Sequence, residues 1–307
     1  MQKIDIPTEC AGKRLDQCIA IIDSSISRSE AAKLIKRGEV LVNDEKEKAS
    51  YKVRSSDVVT VISRLQVVEP LRPIKKELSI LFEDKNIVVI DKPINLTVHP
   101  PNENDPQETL VNYLLHYLPS IKDVGGDALR PGIVHRLDKL ASGAIVVAKN
   151  QKSFDRLQKA WQDGLVHKTY SVLVWGVLDE NGVITSSIAR SKRTGKMVAT
   201  NGEPGVGKPA ETHYAIDTKY TNATLLSVTT FTGRMHQIRA HFKSIGHPVV
   251  GDPIYEYKKA PRSIRVPRLF LHASTLTLPL LNDEEKTFDA PLPSEYTDFL
   301  EKLKQKA

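Results

Sequence analysis

Short apolar runs separated by polar turns dominate the larger, C-terminal part of the chain. Four of these runs, at residues 86–91, 143–148, 169–175 and 223–229, are rich in Val, Leu and Ile and predict strands. One clear helical stripe also occurs, because Asn150 can cap a helix whose Phe154, Leu157 and Trp161 share a face. Strands with scattered helices and no fixed repeat predict an α+β fold. We expect a mostly antiparallel mixed sheet flanked by helices and loops.

The first sixty residues predict a second, smaller α+β domain. Ser27 and Glu30 have capping-box spacing, and Gly38 follows Arg37 as a left-handed helix end, so a helix is predicted between them. Strands are expected at residues 39–43 and 57–62. The helix has an apolar face of Ala31, Leu34 and Ile35, and an opposite basic face of Lys33, Lys36 and Arg37.

A linker is predicted at residues 67–78. Pro70 and Pro73 oppose helix formation there, and the charged residues around them oppose burial. We therefore expect an N-terminal domain at residues 1–66, the linker, and a large domain at residues 79–307.

Composition narrows the class of protein. The chain has 307 residues, a net charge of +7 and a pI of about 9.2, which favours a polyanionic partner such as nucleic acid. Its two cysteines, Cys10 and Cys18, predict no disulfide framework. The apolar runs are too short to span a membrane, and the N-terminus has no secretory pattern. These features predict a cytoplasmic protein without a membrane partner.

Two segments carry candidate chemistry. Asp138 stands between two predicted strands and is flanked by Arg136 and Lys139. Arg239 lies at the border of an apolar helical stripe (Met235, Ile238, Phe242 and Ile245), so its guanidinium can turn inward. An inward-facing arginine requires a carboxylate, and Asp138 is the natural candidate. The competing interpretation is an ordinary turn with a weak surface ion pair.

Five motifs in order resemble one enzyme family. They occupy residues 91–100 (DKPINLTVHP), 135–138 (HRLD), 168–170 (KTY), 232–239 (TGRMHQIR) and 246–253 (GHPVVGDP). Together they are similar to the ribosomal and transfer RNA pseudouridine synthases typified by the large-subunit ribosomal enzymes. The order of elements near residues 12–62 resembles the small S4-like RNA-binding module, whose basic helix face lies against RNA backbone.

The resemblance implies roles for individual residues. Asp138 would be the essential carboxylate, Tyr170 the aromatic that stacks on the target base, and Arg239 the cation paired with Asp138. Arg136 would probe the space vacated by the extruded nucleotide. Further substrate contacts would come from His135, Lys168, Arg234 and His236, and in the N-terminal module from Lys33, Lys36 and Arg37. Ala141 and Met235 depart from the family, which commonly has Thr at both positions, and they put substrate preference in doubt.

The implied reaction requires no cofactor, because uridine and pseudouridine are isomers. The partner would be structured RNA, with ribosomal RNA favoured and transfer RNA as the alternative, and the enzyme is expected to be a monomer. Basic segments at residues 190–196 and 258–268 are candidates to line the RNA groove.

Two other classes of protein are alternatives. A metal-dependent hydrolase is disfavoured, because His99, His135, His236, His241 and His247 lack metal-ligand spacing. A non-catalytic RNA-binding or ribosome assembly factor would be expected to lose Asp138 or Tyr170, and both are present.

Overall fold

The computed structural model describes residues 2–23, 28–61, 71–102, 105, 107–200, 205–257, 260 and 265–304. The chain divides into two compact units, residues 1–70 and 71–307. No helix in these described ranges is long and apolar enough to cross a membrane.

The N-terminal unit is a small four-stranded antiparallel sheet with two helices. Its elements in chain order are β1 (Gln2–Asp5), a 3-10 turn (Thr8–Cys10), α1 (Leu15–Ile22), α2 (Arg28–Arg37), β2 (Val40–Val42), β3 (Glu45–Lys46) and β4 (Val58–Val61). The strand order is β1-β4-β2-β3. Cys10 and Cys18 are both buried as free thiols in its core.

Helix α2 confirms the predicted amphipathic helix. Ala31 and Ile35 are buried in the core of the unit and Leu34 packs against it, because these positions share one side of the helix. Lys36 and Arg37 are exposed on the opposite side. The predicted cap Ser27 and the side chain of Lys33 lie outside the described part of the structure.

The C-terminal unit contains the remaining elements. Its strands are β5 (Ile80–Glu83), β6 (Ile87–Lys92), β7 (Ser142–Ala148), β8 (His167–Trp175), β9 (Gly182–Thr185), β10 (Ile188–Arg190), β11 (Met197–Ala199), β12 (Glu211–Lys219), β13 (Ala223–Thr230), β14 (Leu271–Pro279) and β15 (Glu285–Asp289). Its helices are α3 (Leu110–Tyr117), a 3-10 helix (Pro119–Asp123), α4 (Gln151–Gln162), α5 (Gln237–Ser244) and α6 (Ser294–Lys304).

Nine of these strands form one mixed, mostly antiparallel sheet, as the apolar runs predicted. Its order is β5-β6-β7-β14-β8-β13-β12-β9, with β15 paired to β14 at one side. The β7–β14 pair is parallel and the other ladders are antiparallel. All four predicted strands are present, as β6, β7, β8 and β13.

Helix α4 begins where the sequence predicted. The Asn150 side chain accepts a hydrogen bond from the Ser153 amide at 2.9 Å, which satisfies one of the unpaired donors of the first turn. Leu157 is buried in the main core, and Phe154 and Trp161 pack against it.

Residues 71–78, the described part of the predicted linker, form neither helix nor strand and pack on the C-terminal unit. Leu71, Ile74 and Leu78 contact its main core, and the Ile74 amide donates to the Asn112 carbonyl oxygen at 2.9 Å. Residues 62–70, which include the start of the predicted linker, lie outside the described residues.

Candidate active site

A cavity of about 250 Å³ opens at the centre of the large sheet. The loop before β7 supplies Asp138, β8 supplies Tyr170, and the first turn of α5 supplies Arg239. Because β7, β14, β8 and β13 are neighbours in the sheet, residues far apart in sequence converge here. The structure therefore brings the three predicted catalytic residues together.

Asp138 and Arg239 form a direct pair. Nη1 of Arg239 donates to Oδ2 of Asp138 at 3.1 Å, and the two residues are 101 positions apart in sequence. The Arg239 side chain is 2% exposed, whereas the Asp138 side chain is 18% exposed. The cation is therefore buried behind the carboxylate, and the carboxylate faces the cavity.

A second carboxylate, Asp252, holds the other edge of the Arg239 guanidinium. Nε of Arg239 donates to Oδ2 of Asp252 at 2.6 Å, and Nη2 donates to Oδ1 at 2.8 Å. Burial works to raise the pKa of Asp252, but the hydrogen bonds from Arg239 and from the Tyr255 and Ile254 amides outweigh it, so that pKa lies below its usual value. Such a bidentate pair fixes both the position and the orientation of the guanidinium.

Sequence reasoning assigned no role to Asp252, although it lies in the Gly-Asp-Pro of the fifth motif. The glycine before it, Gly251, has φ +77°, and a Cβ at this position would collide with the Arg268 carbonyl oxygen. Only glycine fits this close approach without strain. The sequence offered only the Gly-Asp-Pro of the fifth motif as a signal, because the burial of Asp252 and the need for glycine beside it appear in the structure alone.

Lys92 is a second unpredicted residue beneath the site. Its side chain is fully buried, and Nζ donates to the carbonyl oxygens of Pro93 at 2.7 Å, Leu96 at 2.9 Å and Lys139 at 3.5 Å. Lys139 follows Asp138 directly, so Lys92 ties the end of β6 to the loop that carries the carboxylate. Burial lowers the pKa of Lys92 to about 7, and the nearby charge of Asp138 opposes this shift.

Tyr170 forms part of the cavity wall from β8. It is 7% exposed, and burial, together with the negative charge of Asp138, raises the pKa of its hydroxyl above the usual value. The side chain is therefore a neutral phenol at physiological pH. An aromatic ring beside a carboxylate suits a flat, uncharged ligand.

Four of the predicted substrate contacts also line the cavity: Arg136, Lys168, Arg234 and His236. Arg136 is exposed. Lys168 is half-buried, its ammonium has no hydrogen-bond or ion-pair partner within the described residues, and burial lowers its pKa to about 8. The cavity therefore presents several cations around one carboxylate.

His236 stands at the start of α5 in a left-handed conformation, with φ 56°. Its Nε2 lies 4.0 Å from Oδ2 of Asp138, and its Nδ1 is 3.2 Å from the hydroxyl of Tyr255. Burial lowers the pKa of His236, and the charge of Asp138 opposes this. The ring thus closes one side of the carboxylate.

His135, another predicted substrate contact, packs against helix α4. It is not part of the cavity wall: its ring stacks on Trp161 at 4.5 Å between centroids, and its Nε2 accepts a hydrogen bond from the Val146 amide at 3.0 Å. Burial lowers its pKa to about 3, so it is neutral. His135 thus has a packing role in this structure, and its contact with substrate stays a prediction.

The two basic segments predicted to line the RNA groove differ in how exposed they are. Residues 191–196 connect β10 to β11 at the surface. Arg268 is buried instead, donating to the Ser142 hydroxyl and the Leu269 carbonyl oxygen, which corrects its assignment to a groove. Residues 258, 259 and 261–264 lie outside the described residues. In the described part of the chain, no group of three or more His, Cys, Asp or Glu side chains is placed to hold a metal ion.

Comparisons with known proteins identify this architecture. Residues 86–244 match the RNA pseudouridylate synthase family and residues 13–59 match the S4 domain. A solved human structure, RNA pseudouridylate synthase domain containing 4, superimposes with a TM-score of 0.58 at 26% identity, covering 74% of this chain and 93% of that one. The fold is thus that of a pseudouridine synthase.

Two sequence relatives extend the match over most of the chain. Ribosomal large subunit pseudouridine synthase D of Nitrosomonas europaea is 36% identical over 98% of this chain and 88% of its own length. A relative from Aquifex aeolicus, described as an uncharacterized RNA pseudouridine synthase, is 40% identical over 84% of this chain and 81% of its own length. The chain belongs to the RNA pseudouridylate synthase family, and it is an isomerase that acts on RNA.

Proposed function

We propose that this protein isomerises uridines in large-subunit ribosomal RNA, with Asp138 as the catalytic carboxylate. The observation that supports this most strongly is the buried Arg239, which hydrogen-bonds Asp138 at 3.1 Å and leaves that carboxylate facing a cavity. A fixed anion beside an aromatic wall suits attack on a ribose or abstraction of one of its protons.

The reaction breaks the bond between the anomeric carbon and N1 of uracil. The base then turns and forms a new bond from its carbon five to the anomeric carbon. The proton on carbon five is lost and N1 takes up a proton, so the product is an isomer of the substrate. The Asp138 carboxylate assists the first bond cleavage, either as nucleophile at the anomeric carbon or as base at the ribose. Arg239 holds it in place for both routes.

The other cavity residues would hold the extruded nucleotide. The target uridine must leave its stack to reach Asp138, and the neutral ring of Tyr170 supplies a surface on which its base can lie. Lys168 and Arg234 would contact phosphates, since no carboxylate among the described residues pairs with these cations. Arg136 would probe the space that the extruded nucleotide leaves. His236 would restrict the movement of Asp138.

The choice of ribosomal RNA rests on the named relatives and on the N-terminal module. The relative from Nitrosomonas europaea is named for the ribosomal large subunit, and the S4 match supports an RNA-binding role for residues 1–66, ahead of a catalytic domain at 79–307. Transfer RNA is the alternative substrate. We further propose that the enzyme acts as a monomer in the bacterial cytoplasm, where ribosomal RNA is made.

Release of tritium from uracil carbon five tests this function directly. Wild-type protein should release tritium from labelled, unmodified large-subunit ribosomal RNA, because the carbon five proton is lost when the new bond forms. Labelled small-subunit RNA and transfer RNA serve as controls. Release from transfer RNA alone would reassign the substrate, and binding without release would establish a non-catalytic RNA-binding protein instead.

The exposed cations of α2 provide a separate prediction for the N-terminal unit. Changing Lys36 and Arg37 together to Glu should weaken binding to ribosomal RNA. It should also reduce the slope of log Kd against log salt by about 1.5–2, as expected for the loss of two phosphate contacts. Fluorescence anisotropy across a salt series measures both quantities.

A matched control separates local contact from net charge. Lys48 and Lys52 are also exposed lysines of the N-terminal unit, outside α2. Changing both to Glu alters the net charge equally. If this control weakened binding as much as the α2 variant did, the basic face of α2 would not be a contact surface.

A further inference from the structure

A second groove, outside the Asp138 cavity, adjoins it on the same unit. Its volume is about 440 Å³, and its walls include Ser186, Pro209, Glu211, Phe231 and Thr232. Thr232 lines both the groove and the Asp138 cavity, so the two are adjacent. Neither the motifs nor the proposed catalytic roles account for this groove.

Phe231 is an exposed aromatic side chain in this groove. It directly follows β13, and 54% of its surface is accessible, although a phenyl ring gains by burial. His213 on β12 meets the ring edge-to-face at 4.9 Å between centroids, and His167 on β8 does so at 6.5 Å. These contacts from both neighbouring strands fix the orientation of the ring, and more than half of its surface stays accessible.

A cation lies between the groove and the cavity. Arg234 lines the Asp138 cavity, and its Nε donates to the carbonyl oxygen of Pro209 in the groove at 3.1 Å. The groove also contains Glu211, but one carboxylate oxygen is bonded to Nε2 of His213 at 2.6 Å. An exposed ring and a nearby guanidinium match a nucleobase and its phosphate.

We propose that Phe231 is a stacking platform for an unpaired base next to the target uridine in the RNA strand. This inference rests on the proposed function. With the target uridine in the Asp138 cavity, the strand would pass Arg234, which contacts the intervening phosphate, and the neighbouring base would lie on Phe231. Stacking of this kind tolerates any base, because every base has a flat face. Phe231 would therefore contribute to affinity rather than to bond cleavage.

Removal of the Phe231 ring tests the stacking proposal, because a stacking contact should change KM and leave kcat nearly unchanged. Phe231→Ala should raise KM for unmodified large-subunit ribosomal RNA about tenfold, since base–aromatic stacking changes affinity by roughly 5- to 100-fold. The kcat at saturating RNA should stay within about twofold, because the ring does not line the Asp138 cavity. Phe231→Tyr, which keeps the ring, should restore KM. Val177→Ala, a comparably exposed apolar position just beyond the opposite end of β8, should leave KM unchanged.

A fluorescence measurement reports on the stack independently of turnover. In Phe231→Trp, binding of a short oligouridylate should quench the added tryptophan emission, measured as the difference from wild-type protein. If oligouridylate quenched Phe231→Trp but the wild-type protein had no isomerase activity, the proposed function would be wrong and the stacking role of Phe231 would be supported. The stacking proposal would be wrong if the wild-type enzyme were active, KM were unchanged in Phe231→Ala and no quenching occurred in Phe231→Trp. That combination is expected if the groove binds a protein partner.

Discussion

Asp138→Asn should abolish isomerisation while leaving RNA affinity within about twofold of wild type. The amide keeps the size of the carboxylate and can still accept the hydrogen bond from Nη1 of Arg239, so the cavity should keep its shape. A neutral amide, however, is neither a nucleophile nor a base. We expect a loss of at least roughly 10⁴-fold in kcat, the range seen when such a group is removed. Tritium release and anisotropy on the same protein preparation measure the two effects.

The control for this variant is Asp179→Asn, which makes the same chemical change at a side chain that is 93% exposed. Its turnover and affinity should match wild type. Turnover of Asp138→Asn within tenfold of wild type would refute the catalytic assignment. Equal loss of turnover and affinity would instead mean that the substitution disrupts RNA binding.

Four strands of the large sheet and the helices α2 and α4 were predictable because their apolar periodicity is local. The runs that became β6, β7, β8 and β13 are buried strands bounded by turn residues, and Asn150 caps α4 as its position indicated. The pairing of Arg239 with Asp138 was also predictable, because a guanidinium on an inward helical face needs a carboxylate. Local pattern and charge balance were sufficient for these features.

The partners that surround this pair depend on tertiary packing, which the sequence pattern does not encode. Asp252 is 13 positions from Arg239 and holds it through two bonds, whereas the predicted partner Asp138 provides one. Lys92 ends a strand, where a lysine is normally exposed, yet the loops after it enclose its ammonium in carbonyl oxygens. The position of His135 outside the cavity wall has a similar origin, since its stacking on Trp161 arises only when α4 packs on the sheet.

The apolar stripe assigned to α5 was correct in part. Ile238 and Phe242 are buried, but the helix begins at Gln237, so Met235 precedes it, and Ile245 is 39% exposed beyond its end. The left-handed His236 interrupts the helical pattern at its start. This break turns the 233–236 segment toward Asp138, and no periodicity of apolar residues signals it.

Asp252→Asn should produce the largest loss of stability among single changes at the site. The substitution leaves the buried guanidinium of Arg239 with one carboxylate, Asp138, and sets an amide group against its donors. Removing one partner of a buried ion pair costs about 3 kcal/mol or more, which lowers Tm by roughly 6–12 °C for a unit of this size. Turnover should also fall, since Arg239 would no longer hold Asp138 in a fixed position. Thermal unfolding and tritium release measure the two losses.

The pH dependence of the stability loss in Asp252→Asn distinguishes a lost ion pair from lost side-chain packing. Folding lowers the pKa of Asp252. Ionised Asp252 therefore makes its full contribution to the free energy of unfolding above the ordinary aspartate pKa of 3.8, and this contribution declines as the pH falls through the pKa of the folded state. The difference in Tm between wild type and Asp252→Asn should therefore be constant near neutral pH and shrink in acid. Asp283→Asn, at a side chain that is 81% exposed beside Arg156, should change stability by less than about 0.5 kcal/mol. The Tm of Asp252→Asn at neutral pH could instead lie close to that of wild type, or fall no further than the Tm of Asp283→Asn. Either result would show that Asp138 alone is sufficient to hold Arg239.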